Sequence, residues 1–179
     1  MKILLFTANF RDSYIDVERE HRTLQSALTS TSDNLQVLPA AEVADLEKAI
    51  ARSKKTGGID VLHFCGHATP EEGLHLRGPA RGTDFLKAEQ LKAILAGAGV
   101  KLVVLNACNT QALAEALTHV VPAAIGTTRP VRDVVARQFT RNFYTALQGN
   151  STSIEAFEIA LKKQKPAAAP AYLYAGLDL

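Results

Sequence analysis

Apolar residues along this chain fall into two alternating patterns. Short, nearly unbroken runs at Lys2 to Ala8, Leu35 to Leu38, Ile59 to Cys65, Val100 to Leu105 and Ala123 to Ile125 read as strands buried on both faces. Between them, apolar positions recur at helical spacing. These are Tyr14, Val17, Leu24 and Leu28 within Ser13 to Leu28; Val43, Leu46 and Ile50; Ala88, Leu91 and Leu95 within Lys87 to Leu95; Leu113, Ala116, Leu117 and Val120; and Val135, Phe139, Phe143 and Leu147. Thr152 with Glu155 forms a capping box that opens a last helix, and Tyr172 to Tyr174 reads as a closing strand. Strand–helix alternation of this kind predicts an α/β domain with a mainly parallel six-stranded sheet flanked by helices. Gly73 to Thr83 is an extended loop with a small hairpin at Leu74-His75-Leu76, and Gln164 to Ala171 is a connector.

Composition narrows the picture. The chain has 179 residues, enough for one domain spanning 1–179 with a real core. Its net charge of +2 is too small to argue for nucleic acid or an acidic membrane surface. No apolar run approaches the ~20 residues that cross a bilayer, and no signal peptide is visible. A cytoplasmic protein with reduced thiols at Cys65 and Cys108 is the expectation.

Two stretches carry chemistry. In "HFCGHATP" the third strand ends at Cys65, and Gly66 and His67 follow in a turn. In "KLVVLNACN" the fourth strand is followed by Cys108 and then by a helix beginning near Thr110. Parallel strands release their sequels at the same edge of the sheet, so His67 and Cys108 face one another if these strands are neighbours. A thiol near its reference pKa of ~8.5 is only a few per cent thiolate at neutral pH. A facing imidazole raises that fraction or takes the proton during attack, and turn N–H groups can hold an oxyanion. His63 and Cys65, inside the strand, are expected to be core residues.

Competing chemistries fit less well. A low-molecular-weight phosphatase loop needs an arginine where this chain has Ala114. Class I amidotransferases and α/β-hydrolases place the nucleophile before the histidine, on an elbow absent here. There is no dinucleotide or Walker loop, and one Cys–His pair is too few ligands for zinc. No metal or other cofactor is expected. A flavodoxin-like ligand-binding domain and a catalytically inactive interaction scaffold remain as alternatives, but neither explains why a histidine and a cysteine end consecutive strands.

The order histidine then cysteine is that of caspase-like proteases. "KILLFTAN", "DVLHFCGHA", "LVVLNACNT" and the region from Ala123 to Phe157 resemble the CHAT domains, a caspase-like branch, in order along almost the whole chain. The resemblance implies a three-layer caspase-like sandwich and a cysteine endopeptidase with His67 as general base and Cys108 as nucleophile. It further implies oxyanion donors at the backbone N–H groups of Ala68 and Cys108. Many members carry glycine where this chain has Ala68, which restricts that backbone. The resemblance also implies a protein substrate, a sensor or regulatory partner, and a role in bacterial defence or signalling. Asn106, two residues before Cys108, is expected to line the specificity pocket by strand alternation. Asp133, placed near the cleft by the resemblance, either joins it or caps the following helix. An uncharged residue, apolar and medium-sized, is therefore expected before the cleaved bond, because the neutral amide of Asn106 cannot offset a buried cation.

Overall fold

The computed structural model of the chain describes residues 1–10, 14–30, 33–164 and 171–179. The strands form one six-stranded sheet in the order β2-β1-β3-β7-β8-β9. Five are parallel: β1 (Lys2–Thr7), β2 (Asn34–Leu38), β3 (Val61–Cys65), β7 (Leu102–Asn106) and β8 (Ala123–Thr127). The closing strand β9 (Tyr172–Gly176) runs antiparallel to β8 along the edge. The expected mainly parallel sheet is therefore present.

Side-chain alternation explains the three layers. Leu4, Phe6, Leu62, Phe64, Val103 and Leu105 point to one face. There they meet Leu46 and Ile50 of α2 (Val43–Ser53), Leu91 and Leu95 of α3 (Ala88–Leu95), and Leu113 and Leu117 of α4 (Gln111–Leu117). Ile3, Leu5, Val61, Val104 and Ile125 point to the other face. They meet Val17 and Leu24 of α1 (Val17–Ala27), Phe139 and Phe143 of α5 (Asp133–Gln148), and Ala156 and Phe157 of α6 (Ser153–Lys162). Burying each large side chain is worth about 1.5–3 kcal/mol, so both faces contribute to holding the sheet.

Boundaries shift from the expected ones for local reasons. The first helix starts at Val17 because Asp16 caps it, its carboxylate accepting from the Arg19 N–H at 3.1 Å. Tyr14 consequently lies outside the apolar face and is exposed; Ser13, the expected start, lies outside the described residues. The capping box of α6 forms as the sequence predicts, with reciprocal Thr152 and Glu155 bonds. The expected hairpin is one strand larger: β4 (Ala68–Thr69), β5 (Gly73–Arg77) and β6 (Thr83–Leu86) make a small antiparallel sheet. Leu74, Leu76 and Leu86 anchor it in the main core. The connector at 164–171 falls outside the described residues except for its two ends.

Candidate functional site at the carboxyl edge of the sheet

β3 and β7 are neighbours, with Cys65 opposite Asn106 in the parallel register. His67 and Cys108 each follow that pair by the same two-residue offset, on strands about 4.8 Å apart. Both residues are partly exposed, whereas the strands beneath them are fully buried. The register thus places residues 67 and 108 at the same edge of the sheet, after neighbouring strands.

Each turn is held from outside. Gly66 passes so close to Ala8 that an added Cβ would meet the Ala8 carbonyl oxygen at 3.1 Å and the Phe64 ring at 2.6 Å. His67 then enters β4, where its carbonyl accepts from the His75 N–H at 2.9 Å. That bond makes Ala68 and Leu74 a non-hydrogen-bonded pair of the β4–β5 ladder, so the Ala68 N–H is not donated to β5. Ala68 also stays out of the positive-φ region, so an alanine is accommodated here without backbone strain.

On the cysteine side, two threonines clasp the turn. The Thr110 hydroxyl donates toward the Leu105 and Ala107 carbonyls, each at 3.3 Å, and the Thr127 hydroxyl donates to the same Ala107 carbonyl. The Thr127 N–H donates back to Thr110 Oγ1 at 3.0 Å. Gly126 permits the close approach, since a Cβ there would lie 2.8 Å from the Thr110 carbonyl oxygen. Asn109, immediately after Cys108, takes φ of 54°, the left-handed region in which asparagine is the usual non-glycine occupant. Asn109→Gly is therefore expected to match the parent in stability, while Asn109→Val loses about 1–2 kcal/mol in urea denaturation. Equal stability of the two variants would show that the turn does not depend on that conformation.

A narrow cleft opens beside Cys108, lined by Ile15, Asp16, Glu20, Cys65, Gly66, Asn106, Ala107, Val131, Asp133, Ala136 and Arg137. Its volume is about 30 Å³, room for no more than a few waters. Asp133 lines this cleft and is not the helix cap; Arg132 occupies that position, and the Asp133 carboxylate accepts from the Asp16 N–H at 3.4 Å. Asn106 also lines the cleft, but its polar atoms are engaged. Its amide donates to Glu20 Oε1 at 2.8 Å and to Thr140 Oγ1 at 3.1 Å, and its carbonyl accepts from the Tyr172 hydroxyl at 2.8 Å.

Glu20 is the residue that sequence reasoning missed. It is buried under the sheet edge, accepts from Asn106 and the Thr140 hydroxyl, and lies 3.4 Å from Nε2 of the fully buried His63. His63 Nδ1 meets the Tyr144 hydroxyl at 2.9 Å, so His63 belongs to the interior, as expected. Burial pushes the Glu20 carboxyl upward, but the His63 ring, Thr140 and Asn106 outweigh it and hold the group below its ordinary value. The sign follows. A depressed carboxyl contributes stability that is complete above the ordinary carboxylate range and is lost as pH falls through the native value. Glu20→Gln is expected to flatten the acid limb of stability against pH; parallel acid limbs for the two proteins would contradict this. Burial pushes the Cys65 thiol well above its usual value, with Glu20 and Asp133 adding to the effect, so Cys65 stays protonated.

Among the described residues no group of three or more His, Cys, Asp or Glu could hold a metal ion, and no helix is long and apolar enough to cross a membrane.

Comparison with known proteins bears on the family and the fold. The CHAT domain family matches residues 7–167. A "Probable protease" of Gillisia limnaea is 27% identical over 157 residues, covering 82% of this chain; the chain spans only 27% of that relative's length. Among solved structures, a secreted C11 cysteine protease of Bacteroides thetaiotaomicron, bound to an irreversible peptide inhibitor, superposes with a TM-score of 0.65 at 10% identity. That match covers 90% of this chain and 58% of the other. The Arg-specific cysteine proteinase gingipain R gives 0.63 at 14% identity, covering 98% and 46% of the two chains. Caspase-1 of Spodoptera frugiperda gives 0.62 at 13% identity, covering 98% and 85%. At these identities the likeness shows a shared fold, that of the caspase-like cysteine proteases.

Proposed function

We propose, for a chain that belongs to the CHAT domain family, that it is a cysteine endopeptidase working through a His67–Cys108 dyad. The observation that carries the reading is the β3–β7 register, which brings an imidazole and a thiol to the same edge by equal offsets. His67 takes the Cys108 proton as sulfur attacks the peptide carbonyl carbon. The resulting oxyanion is received by the Ala68 and Cys108 N–H groups. The Ala68 N–H remaining outside the β4–β5 ladder supports the first of these roles. His67 then protonates the departing amine, leaving a thioester on Cys108. A water, deprotonated by His67, hydrolyses that thioester and restores the thiol.

The cleft gives the substrate side of this reading. Asp16, Glu20 and Asp133 line it against one guanidinium, Arg137, between apolar walls from Ile15, Val131 and Ala136. Arg19 pairs with Asp16 from outside the lining, yet three carboxylates still exceed the two guanidiniums by one, which favours a lysine or arginine before the cleaved bond, where Asn106 had favoured an uncharged residue. The present volume is too small for such a side chain, so the cleft must widen. A sensor or regulatory partner, in a defence or signalling pathway, would supply that rearrangement by stabilising the open form.

A peptide probe ending in a thiol-reactive group after lysine tests the reading. Labelling should fall on Cys108, require His67, and be slow in the chain without a partner. Labelling of Cys65, or Cys108 labelling indifferent to His67→Ala, would favour the inactive scaffold.

A further inference from the structure

A second charged feature lies next to the cleft and has the opposite sign. On α1, Arg19, Arg22, Thr23 and Ser26 share one face by helical spacing, and on α5 Arg137 and Arg141 stand one turn apart. Together they line a single open groove of about 410 Å³. Four arginines line it with Thr23 and Ser26, and no acidic residue does. Arg19 is paired with Asp16 at 2.9 Å. Among the described residues Arg22, Arg137 and Arg141 have no acidic partner within ion-pair distance.

This concentration is not a by-product of composition, because the whole chain carries a net charge of only +2. Nor does it help the fold: like charges one turn apart repel, and planar guanidinium forks left unpaired contribute no hydrogen bonds. What the groove does offer is several forked donors to a ligand bearing several carboxylates. Arg137 lines both this groove and the cleft beside Cys108, so the two are adjacent.

We propose that the α1–α5 groove is an exosite for an acidic stretch of the polypeptide substrate, rich in glutamate or aspartate and separate from the residue held in the cleft. The inference rests on the protease reading of the cleft. A polypeptide changes charge from residue to residue and so satisfies an acidic cleft and a basic groove in succession. A nucleic acid backbone would be repelled by Asp16, Glu20 and Asp133 as it ran past the cleft.

The test is made on the full chain carrying Cys108→Ala, so that binding is read without cleavage. Fluorescent peptides contain one lysine, with a run of glutamates on its amino side, on its carboxyl side, or replaced by glycine and serine. One glutamate peptide should bind at least about tenfold tighter than the neutral peptide, and the advantage should shrink as salt is raised. Arg22→Glu with Arg141→Glu, both on the exposed surface, should abolish the advantage, and the milder pair Arg22→Gln with Arg141→Gln should reduce it. Circular dichroism checks the fold of each. Equal binding of acidic and neutral peptides would overturn the exosite, as would an advantage that survives charge reversal. Displacement of the glutamate peptide by a single-stranded oligonucleotide at lower concentration than by unlabelled peptide would also overturn it and assign the groove to nucleic acid. Failure of the protease reading is seen separately, as absence of cleavage by the Cys108 enzyme with its partner while the binding difference persists.

Discussion

Cys108→Ala is expected to abolish peptide cleavage and leave the chain folded, while Cys65→Ala is expected to keep cleavage and to cost about 1 kcal/mol of stability. The two thiols differ in everything that controls reactivity. Cys65 is buried in the last position of β3, packed against the α1–α5 layer, with its thiol held protonated by burial and by neighbouring carboxylates. Its removal leaves a small cavity and no chemical loss. Cys108 stands beyond the end of β7, partly exposed, on a turn fixed by Thr110 and Thr127 and by the left-handed Asn109. Its removal takes away the thiol proposed to form the thioester, so activity should fall to background. His67→Ala should lower kcat by on the order of 10²–10⁴-fold, the usual worth of a positioned proton carrier, with little change in fold. The comparison is made with urea denaturation and with cleavage of a lysine-containing peptide by the partner-activated enzyme. Equal loss of cleavage in folded Cys65→Ala and Cys108→Ala proteins would refute the assignment.

The fold was legible because burial imposes a period on each element. Continuous apolar runs such as Val61 to Cys65 and Leu102 to Leu105 have no polar face, which leaves a two-sided parallel sheet as their home. His67 and Cys108 were legible for a related reason, being polar groups placed directly after such runs. The cleft wall was not. Asp16 and Glu20, at the cap and in the first turns of α1, and Asp133 of α5 line the cleft with Asn106, while Thr140 of α5 and Tyr172 of β9 bond Asn106, and only the tertiary fold assembles them. Glu20 did leave a trace. It sits between Val17 and Leu24 on the buried stripe of α1, where an amphipathic helix otherwise places an apolar residue. A carboxylate at such a position needs buried donors, and Asn106 and Thr140 supply them. Asp133 was readable in position but not in role, because a carboxylate next to a helix start reads as a cap until Arg132 is seen to hold that place.

The second large expected effect, under the proposed function, is a preference for lysine or arginine before the cleaved bond, carried by carboxylates that line the cleft with Asn106. In a cleft shielded from water, a substrate cation loses hydration that only a fixed negative charge restores. Glu20 contributes from the floor, Asp16 and Asp133 from the rim, and Arg137 subtracts one charge. Glu20 is unsuited to a clean test, since it also satisfies Asn106 and Thr140 and underlies the acid stability of the fold. Asp16→Asn with Asp133→Asn is better. Asparagine still caps α1 in place of Asp16, and at 133 it still offers an acceptor to the residue-16 N–H. Each charge-assisted contact is worth about 1.5–3 kcal/mol, so kcat/KM for a lysine or arginine peptide should fall by on the order of 10²–10⁴-fold in the double variant. Cleavage of a peptide with a neutral residue at that place should change little. A cleavage profile of the activated enzyme that prefers uncharged residues, and is unmoved by the two substitutions, would return the pocket to Asn106 alone. A strict preference for aspartate would instead make Arg137, the one cation lining the cleft, the residue that reads the substrate.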